Sequence, residues 1–211
     1  GAILIQLKYP MLYGIMIFML IFPFSKDGNI YSVFWGINNR GNVYCLFGIY
    51  QRASGTTISL LGSCYQHADD DAWTILGIST YQNAKNNAFH CFGISCYQEA
   101  QNTRHFIGLS VFQKAEQESG NYVGISIYQH SQKDTWQSVG LSIYQYGINE
   151  CFTGFGINIV QISKIYSQQY SSFSIYQSAM RLKATDSISL IRKGSHISDD
   201  FSKSLITIET E

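Results

Sequence analysis

Five histidines, His67, His90, His105, His130 and His196, and the acidic run Asp69-Asp70-Asp71 are the side chains with which this chain could hold a metal or move a proton. Their spacing supports neither. His67 and His130 each follow a glutamine, but Arg52, Asn83, Glu99 and Lys114 fill that place elsewhere, and a position that accepts either charge is a solvated one. Surface histidines are therefore expected. The acidic run lacks the glycine and the distal glutamate of a calcium loop, so it reads as a turn. Cys45, Cys64, Cys91, Cys96 and Cys151 form no C-x-x-C pair and no even set, which points to small apolar fillers rather than zinc ligands or a disulfide framework. No G-x-S-x-G, P-loop, H-E-x-x-H or dinucleotide fingerprint occurs, and the serines recur at one repeated place, so none is marked as a nucleophile. The expectation is a protein that is not an enzyme, with no catalytic residue, metal or cofactor.

One pattern does stand out. Tyr-Gln recurs at residues 50–51, 65–66, 81–82, 97–98, 128–129, 144–145 and 176–177, with Phe112-Gln113 and Val160-Gln161 filling the gaps. Tyrosines displayed at regular intervals on rigid strands can stack on sugars or contact another protein, and Tyr81, Tyr97, Tyr128 and Tyr144 are the candidate ligand-facing row. The competing reading is structural: each Tyr covers a glycine of the neighbouring strand, and each Gln satisfies backbone groups.

The nine glutamines are spaced by 15 or 16 residues, so the elements that position them are repeats. With each Gln numbered zero, apolar residues fall at minus six, minus four and minus two: Val123, Ile125 and Ile127 in one unit, Val139, Leu141 and Ile143 in the next. Glycine recurs at minus five and serine at minus three. This period of two is a strand signature, with one greasy face and one Gly/Ser/Tyr face. A small residue stands at plus two, and the polar stretch after it reads as a turn.

Two topologies suit such a unit. In an antiparallel meander, minus four faces minus two and Gly at minus five faces Tyr at minus one, which would rescue the strand glycine. In a parallel β-solenoid with one unit per coil, Tyr stacks on Tyr and Gln on Gln. The expected fold is all-β, about nine single-strand units in an antiparallel meander or a barrel closed around the Ile/Leu row, with the solenoid as the alternative. The regular units span residues 46–179. Residues 30–46 read as one or two further strands around a turn at 38–41, and residues 187–208 as closing strands, giving one β domain over residues 30–208.

Fourteen basic residues balance fourteen acidic ones, which removes the field that would attract nucleic acid. Residues 3–24 are almost wholly apolar, with Lys8 ahead of an uncharged run, so residues 1–25 are expected as a signal peptide or anchor, with membrane association through residues 3–24. The unit Gly124-Ile125-Ser126-Ile127-Tyr128-Gln129-His130-Ser131 resembles the short Gly-initiated surface repeats of leptospiral and Bacteroidetes envelope proteins. They share the opening Gly, the alternation, a side-chain amide and a small residue two positions later. The resemblance implies a cell-envelope or secreted location without a defined activity. The expected role is a non-catalytic surface scaffold or adhesive module for a glycan or protein partner. The alternative is an outer-membrane β-barrel with its Ile/Leu row facing lipid.

Overall fold

The computed structural model describes residues 22–210, with Tyr13, Gly14 and Ile17 among those preceding. The expected signal segment falls almost wholly outside the described residues; its end, Phe24 and Ser25, lies in a short strand, Phe24–Lys26. The chain from there is all-β, wound as about 11 parallel coils of a β-solenoid.

Every repeat is one coil, and each residue stacks on its counterpart in the next. Tyr65 pairs with Tyr81, Gln66 with Gln82 and Ala68 with Ala84, all parallel and in register. Gly140 pairs with Gly124 on one side and Gly156 on the other. The antiparallel meander and the closed barrel are thereby corrected to the solenoid that was the alternative. The polar stretch after each Gln, such as Lys85-Asn86, does not reverse the chain into a hairpin. It turns the chain onto the next wall of the same coil, and Asn86 N–H donates to the Asp70 carbonyl one coil below at 3.0 Å.

Two ends of the chain follow from the same register. Asn29–Ser32, Trp35–Asn38 and Val43–Cys45 stack in parallel on later strands, so the first coils precede the Tyr-Gln grid. Ile188–Gly194 and Lys203–Glu209 do not close a sheet; they add two coils, with Arg192 on Gln177 and Thr207 on Arg192. Gly36, paired with Gln51, is the matching rung at the other end.

The interior reverses the expected polarity. A coil of 15 or 16 residues encloses a lumen too narrow for rows of Ile and Leu. The inward positions are minus three, zero, plus two, plus six and plus eight, occupied in one unit by Ser79, Gln82, Ala84, Ala88 and His90, all buried. The greasy rows point outward instead.

Glycine at minus five makes the corner that allows this. Gly93, Gly108, Gly124, Gly140 and Gly156 have φ between 125° and 134°, and a Cβ on Gly124 would lie 2.0 Å from the Gly108 carbonyl oxygen. Only glycine fits both the dihedral and the 4.8 Å stacking of coils, where backbone lies directly on backbone.

Candidate functional site

Gln51, Gln66, Gln82, Gln98, Gln113, Gln129 and Gln145 form an unbroken amide ladder inside the coils. From Gln66 onward each Nε2 donates to the Oε1 of the glutamine below, at distances of 2.8–3.0 Å. The second N–H crosses the lumen to a backbone carbonyl on the opposite wall, as from Gln66 to Trp73 at 2.8 Å and from Gln82 to Phe89 at 3.0 Å. The ladder is interrupted where serine at minus three becomes Asn158, whose longer side chain donates to Gln145 Oε1 at 3.0 Å in place of Gln161. Every member is fully buried, so the glutamines hold walls together and are not a binding row.

A second polar column, at plus eight, was not anticipated from sequence. Thr74, His90, His105, Asn121, Gln137, Thr153 and Gln169 are all fully buried. His90 and His105 are therefore corrected from surface to interior residues, with ring centroids 4.9 Å apart. Their ring nitrogens have no well-directed hydrogen-bond partner. Burial pushes His90 down to about 4, against the opposing influence of the Gly77 and Phe92 backbone. Burial, then the nearby His90, pushes His105 down to about 3. The signal was present as a polar residue recurring eight or seven places after the Gln. His67 sits on the outside, 4.0 Å from Asp69.

Arg192 takes the place of a glutamine in the position-zero column, stacked on Gln177, is fully buried, and pairs with Asp199. Burial lowers its basicity and the Asp199 carboxylate opposes that. Of the cysteines, Cys45 and Cys151 are buried fillers as expected, whereas Cys64 is exposed and Cys91 and Cys96 are half-buried; all five are free. Burial pushes the Cys45 and Cys151 thiols up to about 12, which makes them inert. Among the described residues no group of three His, Cys, Asp or Glu side chains is placed to hold a metal ion.

Three features of the outer surface could meet a partner. The first is the aromatic row, which joins Tyr81, Tyr97, Tyr128 and Tyr144 to Tyr50, Tyr65 and Phe112. Neighbouring centroids are 4.8–5.3 Å apart and the planes diverge by no more than 7°. Each ring covers its neighbour and not a glycine. Ring faces are thus occupied along the row, and edges and hydroxyls are what it presents. Tyr97 donates to Glu99 at 2.9 Å, and Lys114 pairs with Glu99 at 2.7 Å. The Tyr97 hydroxyl is pushed up to about 12 by burial and then by that carboxylate. Val160 ends the stack before Tyr176.

No family model matches this chain, and comparison with curated proteins and with solved structures returned no match.

The second row is acidic. Glu118, Asp134 and Glu150 stand one above another at plus five, beside Thr135, Trp136 and Phe152 in a depression of about 240 Å³. Asp134 is raised by burial and then by Glu118, and Glu150 by burial and then by Asp134. The third row is the widest. Leu76, Phe92, Ile107, Val123, Val139 and Phe155 at minus six are exposed, as are Ile78, Ile94, Ile125, Ile157 and Phe173 at minus four. At one end this band runs into an apolar groove of about 540 Å³ lined by Phe34, Phe47, Ile49, Leu61 and Ile78.

Proposed function

We propose that this chain is a non-catalytic scaffold or binding module of the cell envelope or secreted space, working through its outer apolar band and the aromatic row beside it. The single observation that carries this reading is the exposure of Ile and Leu side chains on coil after coil, while the repeated glutamines and serines are committed to the interior. Apolar patches of this extent on a protein surface mark contact sites. The apolar residues 3–24, read as a signal or anchor, support export. Partners of the band are then glycan or protein surfaces, the Tyr edges adding hydrogen bonds.

The reading requires the coils to be interchangeable building units. Removal of residues 116–131 joins Ala115 to Gln132 at equivalent places and takes out one coil. The product should be soluble, with an unchanged β-sheet circular dichroism signature and a cooperative melt. A product that fails to fold would contradict the modular scaffold. A second reading, in which the Ile/Leu row contacts lipid, is favoured by the same uncharged band and is tested by flotation with neutral vesicles.

A further inference from the structure

The balanced net charge of this chain hides a segregation along its axis. From Cys151 to Ser198 it carries five basic residues, Lys164, Arg181, Lys183, Arg192 and Lys193, against one acidic residue, Asp186, which leaves nine basic and thirteen acidic residues elsewhere. The register shows where the change falls. In one outward column Glu118, Asp134 and Glu150 are followed by Tyr166, Arg181 and His196 in successive coils. Arg192 is turned inward to Asp199, and the other four cations lie on the outer surface of the last coils. None of the four is ion-paired among the described residues, whereas Arg104 and Lys114 in earlier coils pair with Glu118 and Glu99.

These cations line two depressions that meet at Ser195. The first, of about 300 Å³, lies between Lys164 and Lys193, with the Ser178 and Thr210 hydroxyls in its wall and no carboxylate. Neither hydroxyl makes a hydrogen bond among the described residues, while those of Ser163 and Ser195 are spent on the Asn149 and Met180 carbonyls. The second, of about 450 Å³, is lined by Arg181, Lys183 and His196, with Glu209 as its one carboxylate. Like charges are thus gathered without counter-charges, and an oxyanion set between them relieves the repulsion and gains charge-assisted hydrogen bonds. We propose that the two depressions bind a short polyanionic glycan, with sulfate or phosphate esters on neighbouring sugars. Two adjoining basic depressions suit two anionic groups on one ligand, and the free hydroxyls suit its polar flanks. A long polyanion such as nucleic acid is disfavoured, since along the axis it meets the Glu150 and Asp134 carboxylates one and two coils before Tyr166. The patch shares no residue with the apolar band and goes beyond the reading of that band.

Isothermal titration of the full chain with a heparin hexasaccharide should show saturable binding that weakens as salt is raised, and neutral dextran should not bind. The double variant Arg181→Gln, Lys193→Gln removes a charge from each depression and should weaken binding at least ~10-fold. Lys85→Gln, Lys133→Gln, an equal loss of charge on earlier coils, should leave it unchanged. The hexasaccharide should also shield Lys164, Lys183 and Lys193 from acetylation, and not Lys85 or Lys133, as read by peptide mass spectrometry. Absence of binding at low salt overturns the proposal, as does a control variant that weakens binding as much as the site variant. Inorganic sulfate that binds as tightly as the hexasaccharide would mean a simple ion site, and a DNA duplex that does so would mean nucleic acid. Binding to phosphatidylserine vesicles but not to the hexasaccharide would mean lipid; each of these overturns it. Should the site variant not fold, the acetylation pattern of the wild type decides. None of these outcomes bears on the scaffold reading, which the one-coil deletion tests separately.

Discussion

His90 and His105 sit where burial forbids charge. Their folded pKa values, about 4 and about 3, lie below the ordinary 6.5 of the unfolded chain. The unfolded state therefore binds more protons at acid pH. Stability is unaffected above pH 6.5 and is lost as pH falls from there, at up to ~1.4 kcal/mol per pH unit for each imidazole. Calorimetric melts of the wild type should drop between pH 6.5 and 4, and the His90→Asn, His105→Asn variant should be flatter over that window. Asn is chosen because Asn121 occupies the next place in the column. Gly124→Ala should cost about 3 kcal/mol or more, since it combines an unfavourable dihedral with a collision against the Gly108 carbonyl. Ser126→Ala, two residues on, should be near neutral because the Ser126 hydroxyl has no partner to lose. Denaturant titration separates the two. The glycine and the glutamine were both legible as spaced residues. Their direction was not, because a strand's period of two assigns residues to faces without saying which face is inside.

At the scale of the coil, stacking puts like on like, and its consequences depend on the residue. For glutamine it is favourable, as each amide is donor to one neighbour and acceptor to the other. For carboxylates it is costly. Glu118, Asp134 and Glu150 are stacked in successive coils, and the Asp134 and Glu150 carboxyls are raised. A carboxyl raised above its unfolded value reduces stability at neutral pH, and that cost disappears as pH falls through the raised value. Asp134→Asn should thus stabilise the protein at pH 7 by ~0.5 kcal/mol, less so in high salt, and the gain should vanish at acid pH. The sequence points to a meander because the Gly-Ile-Ser-Ile-Tyr core, residues 124–128, is nearly palindromic, so antiparallel pairing also matches apolar to apolar. The two outward residues in succession, Ile127 and Tyr128, mark a corner that breaks the alternation, which an uninterrupted period of two conceals.

Over the described residues from 22 onward the molecule is a stack of coils with columns of polar side chains inside and rows of Ile, Leu and Phe outside. The repeat length and about nine of the about 11 coils are legible from the glutamine grid, and the extension to Gly36, Arg192 and Thr207 is not, since those rungs keep the register while changing the residue. The Ile and Leu rows lie outside and not around a closed interior, because hydrophobicity identifies a face that avoids water and does not distinguish a lumen from a partner. The central claim is parallel stacking, one unit per coil. It is tested most directly by nuclear Overhauser contacts in protein with labelled tyrosine and glycine. The Tyr81 ring, 5.1 Å from that of Tyr97, should show contacts to the Tyr97 ring protons and none to the α-protons of Gly93, which pairs with Gly77 four residues along the strand. Contacts from the Tyr81 ring to the Gly93 α-protons, with none to Tyr97, would contradict it.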